Sequence, residues 1–127
     1  MKYVKTFERF ALNEKQDIDF SELMSGKQKP SEFLDNLKLE LEDEGKDWRD
    51  ELNLTREQEA LVDEFSKLEE ECVKFVTSGK YSKIEVGVGS PTYKRRIEIL
   101  KKLGVTDTSE FEERWKTMLD AADTGNL

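Results

Sequence analysis

Apolar side chains recur at intervals of three and four along most of the chain. The longest such run lies between Thr55 and Ser78, where Leu61, Phe65, Leu68, Cys72 and Phe75 fall on one stripe of a helix. Both ends of this helix are marked. Thr55 and Gln58 match a capping box, in which the Thr side chain accepts from a free backbone N–H and the Gln side chain reaches back, and Gly79 supplies a left-handed stop. At about 24 residues and ~1.5 Å of rise per residue it spans roughly 36 Å, the width of a small domain, so it is predicted to be the spine.

Shorter helices flank it. Pro30 and Ser31 open a segment in which Phe33, Leu34, Leu37 and Leu41 share a face before Gly45. Pro91 begins another, with Tyr93, Ile97, Leu100 and Leu103 on one side and Gly104 as its stop. Ser109 and Glu112 repeat the capping-box spacing ahead of Phe111, Trp115, Met118, Leu119 and Ala122. At the N-terminus Val4, Phe7, Phe10 and Ala11 have helical spacing, which predicts an amphipathic, detachable helix over residues 1–14 ahead of a single helical domain over 15–127. Only Ser82 to Gly89 alternates with period two and predicts a strand or hairpin near residues 82–88. The expected fold class is mainly α, a compact bundle of about four to five helices around one long central helix.

Composition narrows the chemistry. The chain has 127 residues, a net charge of −8, no histidine and one cysteine. Without histidine, the commonest general acid–base and the commonest neutral metal ligand are both missing. The negative charge argues against a protein that coats nucleic acid by neutralising phosphates. A lone Cys72 makes no internal disulfide, and no apolar run is long enough to span a membrane, so a soluble, cytoplasmic protein is expected. A strand without a neighbour, together with an N-terminal apolar face, predicts a homo-oligomer.

Charge is unevenly placed. Lys80 to Lys102 holds seven basic residues and two acids, whereas Glu32 to Asp50 holds eight acids and three bases. Within the basic stretch, Gly87, Gly89 and Ser90 precede a helix start carrying Thr92, Lys94, Arg95 and Arg96. Free backbone N–H groups and the positive helix end would meet there, which outlines an anion site of the kind that holds a phosphorylated nucleotide. The same residues also suit a structural turn whose positive charges pair with the acidic stretch. The acidic stretch reads as a solvated face, or as an acidic docking surface or nucleic-acid mimic.

The remaining chemistry-bearing residues read as structural. Cys72 lies in the apolar stripe with no histidine to activate it, so it is expected in the core. Glu69, Glu70 and Glu71 are consecutive, fan out around the helix, and are expected at the surface. Trp48 and Trp115 are expected to anchor the core. No catalytic residue, metal site or cofactor is expected, which argues against an enzyme.

The opening segment, Met1-Lys2-Tyr3-Val4-Lys5-Thr6-Phe7-Glu8-Arg9-Phe10-Ala11-Leu12-Asn13-Glu14, resembles the leader that directs internal head proteins of T-even-type tailed phages into the prohead. The likeness rests on the Lys-Thr-aromatic-x-x-Phe pattern and on Leu12-Asn13-Glu14, which is similar to the Leu-x-Glu tripeptide after which that family is cleaved; Lys15 stands where the family usually has a small residue. The resemblance implies a phage protein; the small size, the acidity and the detachable helix add the expectation of an accessory protein that binds a virion or host defence protein, with Val4, Phe7 and Phe10 of that helix as partner-binding side chains. The expectation is therefore a non-enzymatic protein-interaction module. The alternative is a small-ligand binder that sequesters a phosphorylated nucleotide at Gly87 to Arg96.

Overall fold

The computed structural model describes residues 15–79 and 83–124. Along them run strand β1 (Gln16–Asp17), a 3-10 turn (Phe20–Met24), α1 (Pro30–Asp43), α2 (Trp48–Glu51), strand β2 (Leu52–Asn53), α3 (Arg56–Thr77), α4 (Lys83–Val86), α5 (Pro91–Lys102) and α6 (Ser109–Asp123). The fold is mainly α. The N-terminal helix expected over residues 1–14, with Val4, Phe7 and Phe10, lies outside the described residues.

Helix α3 is the spine, and α1, α4, α5 and α6 all pack against it. Its capping box forms as the sequence dictates, with Gln58 N–H donating to Thr55 Oγ1 at 3.1 Å and Thr55 N–H to Gln58 Oε1 at 2.9 Å. At the other end Gly79 adopts a φ of 76°, a left-handed value that any Cβ would resist. The core side chains of α3 are Leu61, Val62, Phe65, Cys72 and Val76, while Leu68 and Phe75 lie at its edge. Cys72 is buried there as a small apolar residue.

Aromatic rings fill the centre. Phe111 lies 6.1 Å from Phe65 and 5.6 Å from Tyr93 between ring centroids, and Phe20 lies 6.3 Å from Phe33 beneath α1. Trp115 is fully buried, and its indole Nε1 donates to the Val86 carbonyl at 2.7 Å, which gives the buried N–H its partner.

Three expectations are corrected. The segment near 82–88 is not a strand: Lys83–Val86 forms a helical turn, because its carbonyls are taken by Trp115 Nε1 at Val86 and by Thr92 Oγ1 at Glu85 rather than by a neighbouring strand. With it goes the unpaired strand that suggested an oligomer. The sheet present is instead the short parallel pair β1 and β2, in register Gln16 with Leu52 and Asp17 with Asn53. Trp48 is only half-buried, flanked by Lys38 Nζ at 4.3 Å and the Arg49 guanidinium at 4.8 Å from its ring centroid, so it anchors the surface of α1 and α2 rather than the core. The cap of α6 lies one residue earlier than expected: Ser109 is the first helical residue and Thr108 the cap, Asp107 accepts from the Ser109 N–H at 3.0 Å, and Thr108 Oγ1 donates to Glu112 at 2.8 Å.

Replacing Phe65, which is wholly buried, by Ala should lower the stability by about 3–5 kcal/mol, because the α3–α6 contact would retain a cavity. Thr55→Ala should lower it by about 1 kcal/mol through loss of the cap. Urea unfolding of both variants checks the pair, and equal losses would contradict this assignment of core and cap.

Candidate functional site

The segment Gly87 to Arg96 starts α5 much as its residues dictate. Ser90 caps the helix, its Oγ accepting from the Tyr93 N–H at 3.3 Å, and Pro91 takes the first helical position. The seven residues do not, however, converge on a cradle. Thr92 Oγ1 donates to the Glu85 carbonyl at 2.9 Å and lies 3.3 Å from Ser90 Oγ, so both hydroxyls already have protein partners. Gly87 is buried and Gly89 exposed, on either side of the exposed Val88.

The basic side chains diverge too. Arg95 forks onto Glu64 of α3, with Nε to Oε2 at 2.6 Å and Nη2 to Oε1 at 2.8 Å, and a third bond joins Nη1 to Glu98 at 3.0 Å. The Arg95 bonds and charge hold the Glu64 and Glu98 carboxyls below the usual range, and those carboxylates raise the Arg95 guanidinium in turn. Lys94 is exposed and, among the described residues, has no carboxylate within 4.0 Å. Arg96 points inward and is 0% exposed. At this helix start two side chains of the expected anion site, Arg95 and Arg96, are thus taken up by Glu64 and Glu69 of the spine.

Arg96 belongs to a cluster that the residue pattern does not announce. Its Nη1 donates to Glu69 Oε1 at 3.1 Å, and its Nε reaches the Thr92 carbonyl at 3.3 Å. The guanidinium plane lies 4.1 Å from the Trp115 ring centroid and 5.0 Å from that of Phe111, so the ring faces compensate part of the lost hydration. Arg114 of α6 donates through Nη2 to the same Glu69 oxygen at 2.9 Å and through Nε to the Met24 carbonyl at 2.7 Å. Glu69 is therefore corrected from surface to interior, while Glu70 and Glu71 stay exposed. The signal that could have found it is its spacing: four after Phe65 and three before Cys72, on the buried stripe itself. Arg96 stands likewise, three after Tyr93 and three before Ile99.

Two clefts flank the turn between Ser25 and Pro30. The first encloses about 650 Å³ under α1, with a floor of Ile18, Phe33, Leu37, Leu39 and Leu52. Its walls carry Asp17, Asp19, Glu22, Glu40 and Asp43, and no basic residue lines it. Asp19 is held low by its bonds to the Ser21 hydroxyl and backbone N–H, while Asp17 accepts from Asn53 at 2.7 Å. Leu39 is 54% exposed at its edge. The second cleft encloses about 550 Å³ between that turn, α3 and α6, with Glu69 and Arg114 in its wall. Among the described residues no group of His, Cys, Asp and Glu side chains could hold a metal ion, and no helix is long and apolar enough to cross a membrane.

The chain is thus a mainly α bundle that carries a largely buried arginine–glutamate–arginine cluster beside one acidic cleft and one of mixed charge. No known family, curated protein or solved structure matches this chain.

Glu69→Ala should cost about 3–5 kcal/mol in urea unfolding because it leaves two guanidiniums without their carboxylate, whereas Lys94→Ala should change stability by less than about 0.5 kcal/mol. The Glu64 and Glu98 carboxyls, depressed in the fold, contribute stability that is present above their ordinary value of 4.5 and is lost as the pH falls through their folded values. Both are well exposed, so the contribution is small. Carboxyl titration by NMR should show both midpoints below 4.5, and Arg95→Ala should raise them; unchanged midpoints would contradict the pairing.

Proposed function

We propose that the chain is a non-enzymatic protein-interaction module whose acidic cleft takes a basic, apolar segment of a protein partner. The observation that carries this reading is the first cleft, in which five carboxylates and no base surround an apolar floor. Glu22, Glu40 and Asp43 are exposed and, among the described residues, have no cation within 4.0 Å, so an added positive charge beside them is favoured. The floor, with Leu39 at its edge, supplies area for aliphatic or aromatic side chains, and the walls select Lys or Arg beside them. The N-terminal likeness to a prohead-targeting leader is the reason to seek that partner among virion proteins or host defence factors of a phage-infected cell. The nucleotide-binding reading draws no support from α5, where Arg95 and Arg96 are occupied by Glu64 and Glu69.

A labelled amphipathic Lys/Leu peptide serves as a probe. It should bind the full chain with an affinity that falls as salt rises, and the triple variant Glu22→Lys, Glu40→Lys, Asp43→Lys should weaken it by about tenfold or more. The control triple Glu110→Lys, Glu113→Lys, Asp120→Lys makes the same charge change on exposed positions of α6 and should weaken it far less. Equal losses in the two triples would mean that bulk charge rather than the cleft holds the peptide, and the reading would fall.

A further inference from the structure

The second cleft carries charges of both signs, with bases one in excess, and nothing in the protein-binding reading uses it. Behind its wall sits a charge imbalance: two guanidiniums, Arg96 and Arg114, share a single carboxylate oxygen of Glu69 at 3.1 and 2.9 Å. Arg96 is sealed inside, whereas the Arg114 side chain keeps 20% of its exposure and lines the cleft. Arg114 uses Nε for the Met24 carbonyl and Nη2 for Glu69, and its Nη1 has no acceptor among the described residues. A charge in this setting, backed by protein on one side, is screened less than one in open water.

The backbone passes close beside that side chain. Gly26, at a φ of 70°, turns the chain over Arg114, and a Cβ there would stand 3.1 Å from Arg114 Cδ and 3.3 Å from Nη1. Glycine thus keeps open the space that any other residue would fill. Around the cleft stand Lys27, Lys29 and Lys74, with Glu32 and Glu70 opposing them and Lys29 lying 4.0 Å from Glu70. Counting Arg114 and Glu69, four bases face three acids, and Arg96 adds a further positive charge behind them, in a chain whose net charge is −8. The other walls are apolar: Leu23 is buried, Val73 and Met118 are partly buried, and Pro30 closes one end. Met118, with its unbranched and polarizable side chain, adapts to varied shapes. A volume of about 550 Å³ suits a small organic molecule rather than a folded segment.

We propose that this cleft binds a small amphiphilic anion, with a carboxylate or phosphate-monoester head on the Arg114 guanidinium beside Gly26 and a short aliphatic body along Leu23, Val73 and Met118. The head supplies the negative charge that the Arg96–Glu69–Arg114 cluster lacks, and the body covers the apolar wall. Neither half suffices alone: an inorganic anion leaves the wall wet, and a neutral alcohol leaves Arg114 without its partner.

The experiment is an NMR titration of the isotope-labelled full chain with hexyl phosphate, and separately with inorganic phosphate and with hexanol. Hexyl phosphate should bind saturably and shift the Gly26 and Val73 amides and the Met118 methyl group, while the Leu39 amide in the other cleft stays in place. Each half-molecule should bind more weakly by about tenfold or more. Lys74→Glu, an exposed change that spares the buried cluster, should weaken hexyl phosphate by several fold, and Gly26→Ala, verified as folded by its amide spectrum, should weaken it further. Absence of saturable shifts at these residues would overturn the proposal, as would equal binding of hexanol or of inorganic phosphate. Anionic phospholipid vesicles distinguish a lipid source from a free metabolite: broadening of the same signals on adding vesicles assigns the head group to a lipid, and retention of sharp signals with vesicles alongside hexyl phosphate binding assigns a soluble ligand.

Discussion

One oxygen of Glu69 organises the interior. It lies on the buried stripe of α3 and accepts from Arg96 of α5 and Arg114 of α6, so a single carboxylate sets where two other helices sit on the spine. Burying three charged groups is costly, and the arrangement is tolerable because each has further partners: the Thr92 carbonyl and the Trp115 and Phe111 faces for Arg96, and the Met24 carbonyl for Arg114. Through that last bond the 3-10 turn is also fixed against α6. Among the described residues the Nη2 atom of Arg96 has no acceptor, which is consistent with a guanidinium held partly by ring faces rather than wholly by oxygen atoms.

This cluster decides how charge is distributed over the molecule. The basic stretch of α5 meets the acids of α3, with Glu64 taking Arg95 and Glu69 taking Arg96. It therefore does not neutralise the acidic stretch of α1, where Glu40 and Asp43 stay on the wall of the first cleft together with Asp17, Asp19 and Glu22 from the segment before it. The turn between Ser25 and Pro30 separates that acidic cleft from the more basic one behind it, and Gln28 lines both. Two neighbouring surfaces thus differ in their balance of charge.

Of the two surfaces only the acidic stretch that supplies Glu40 and Asp43 to the first was legible in the residue order. Each cleft is built from segments far apart in the chain, joined in the first case by the pairing of Gln16 with Leu52 and in the second by the reach of Arg114 to Met24. The glycine-rich start of α5 looked like an anion site because Gly, Ser, Lys and Arg lie close together in sequence. Helical geometry points successive side chains about 100° apart, so Arg95 and Arg96 leave in different directions and each finds an acid one helix away.

What the sequence determined by itself was local. The period of apolar positions and the capping box at Thr55 and Gln58 specified α3, and Pro30 and Pro91 marked the first turns of α1 and α5, because these signals act over three or four residues within one helix. Tertiary structure decided the rest. Whether Lys83–Val86 became a strand or a helical turn depended on the Trp115 indole reaching the Val86 carbonyl from α6, and whether Glu69 and Arg96 faced water or the core depended on their finding each other across two helices. A charged residue on an apolar stripe is ambiguous from its own helix alone, since the energy that settles its direction resides in a partner that only the packed fold supplies.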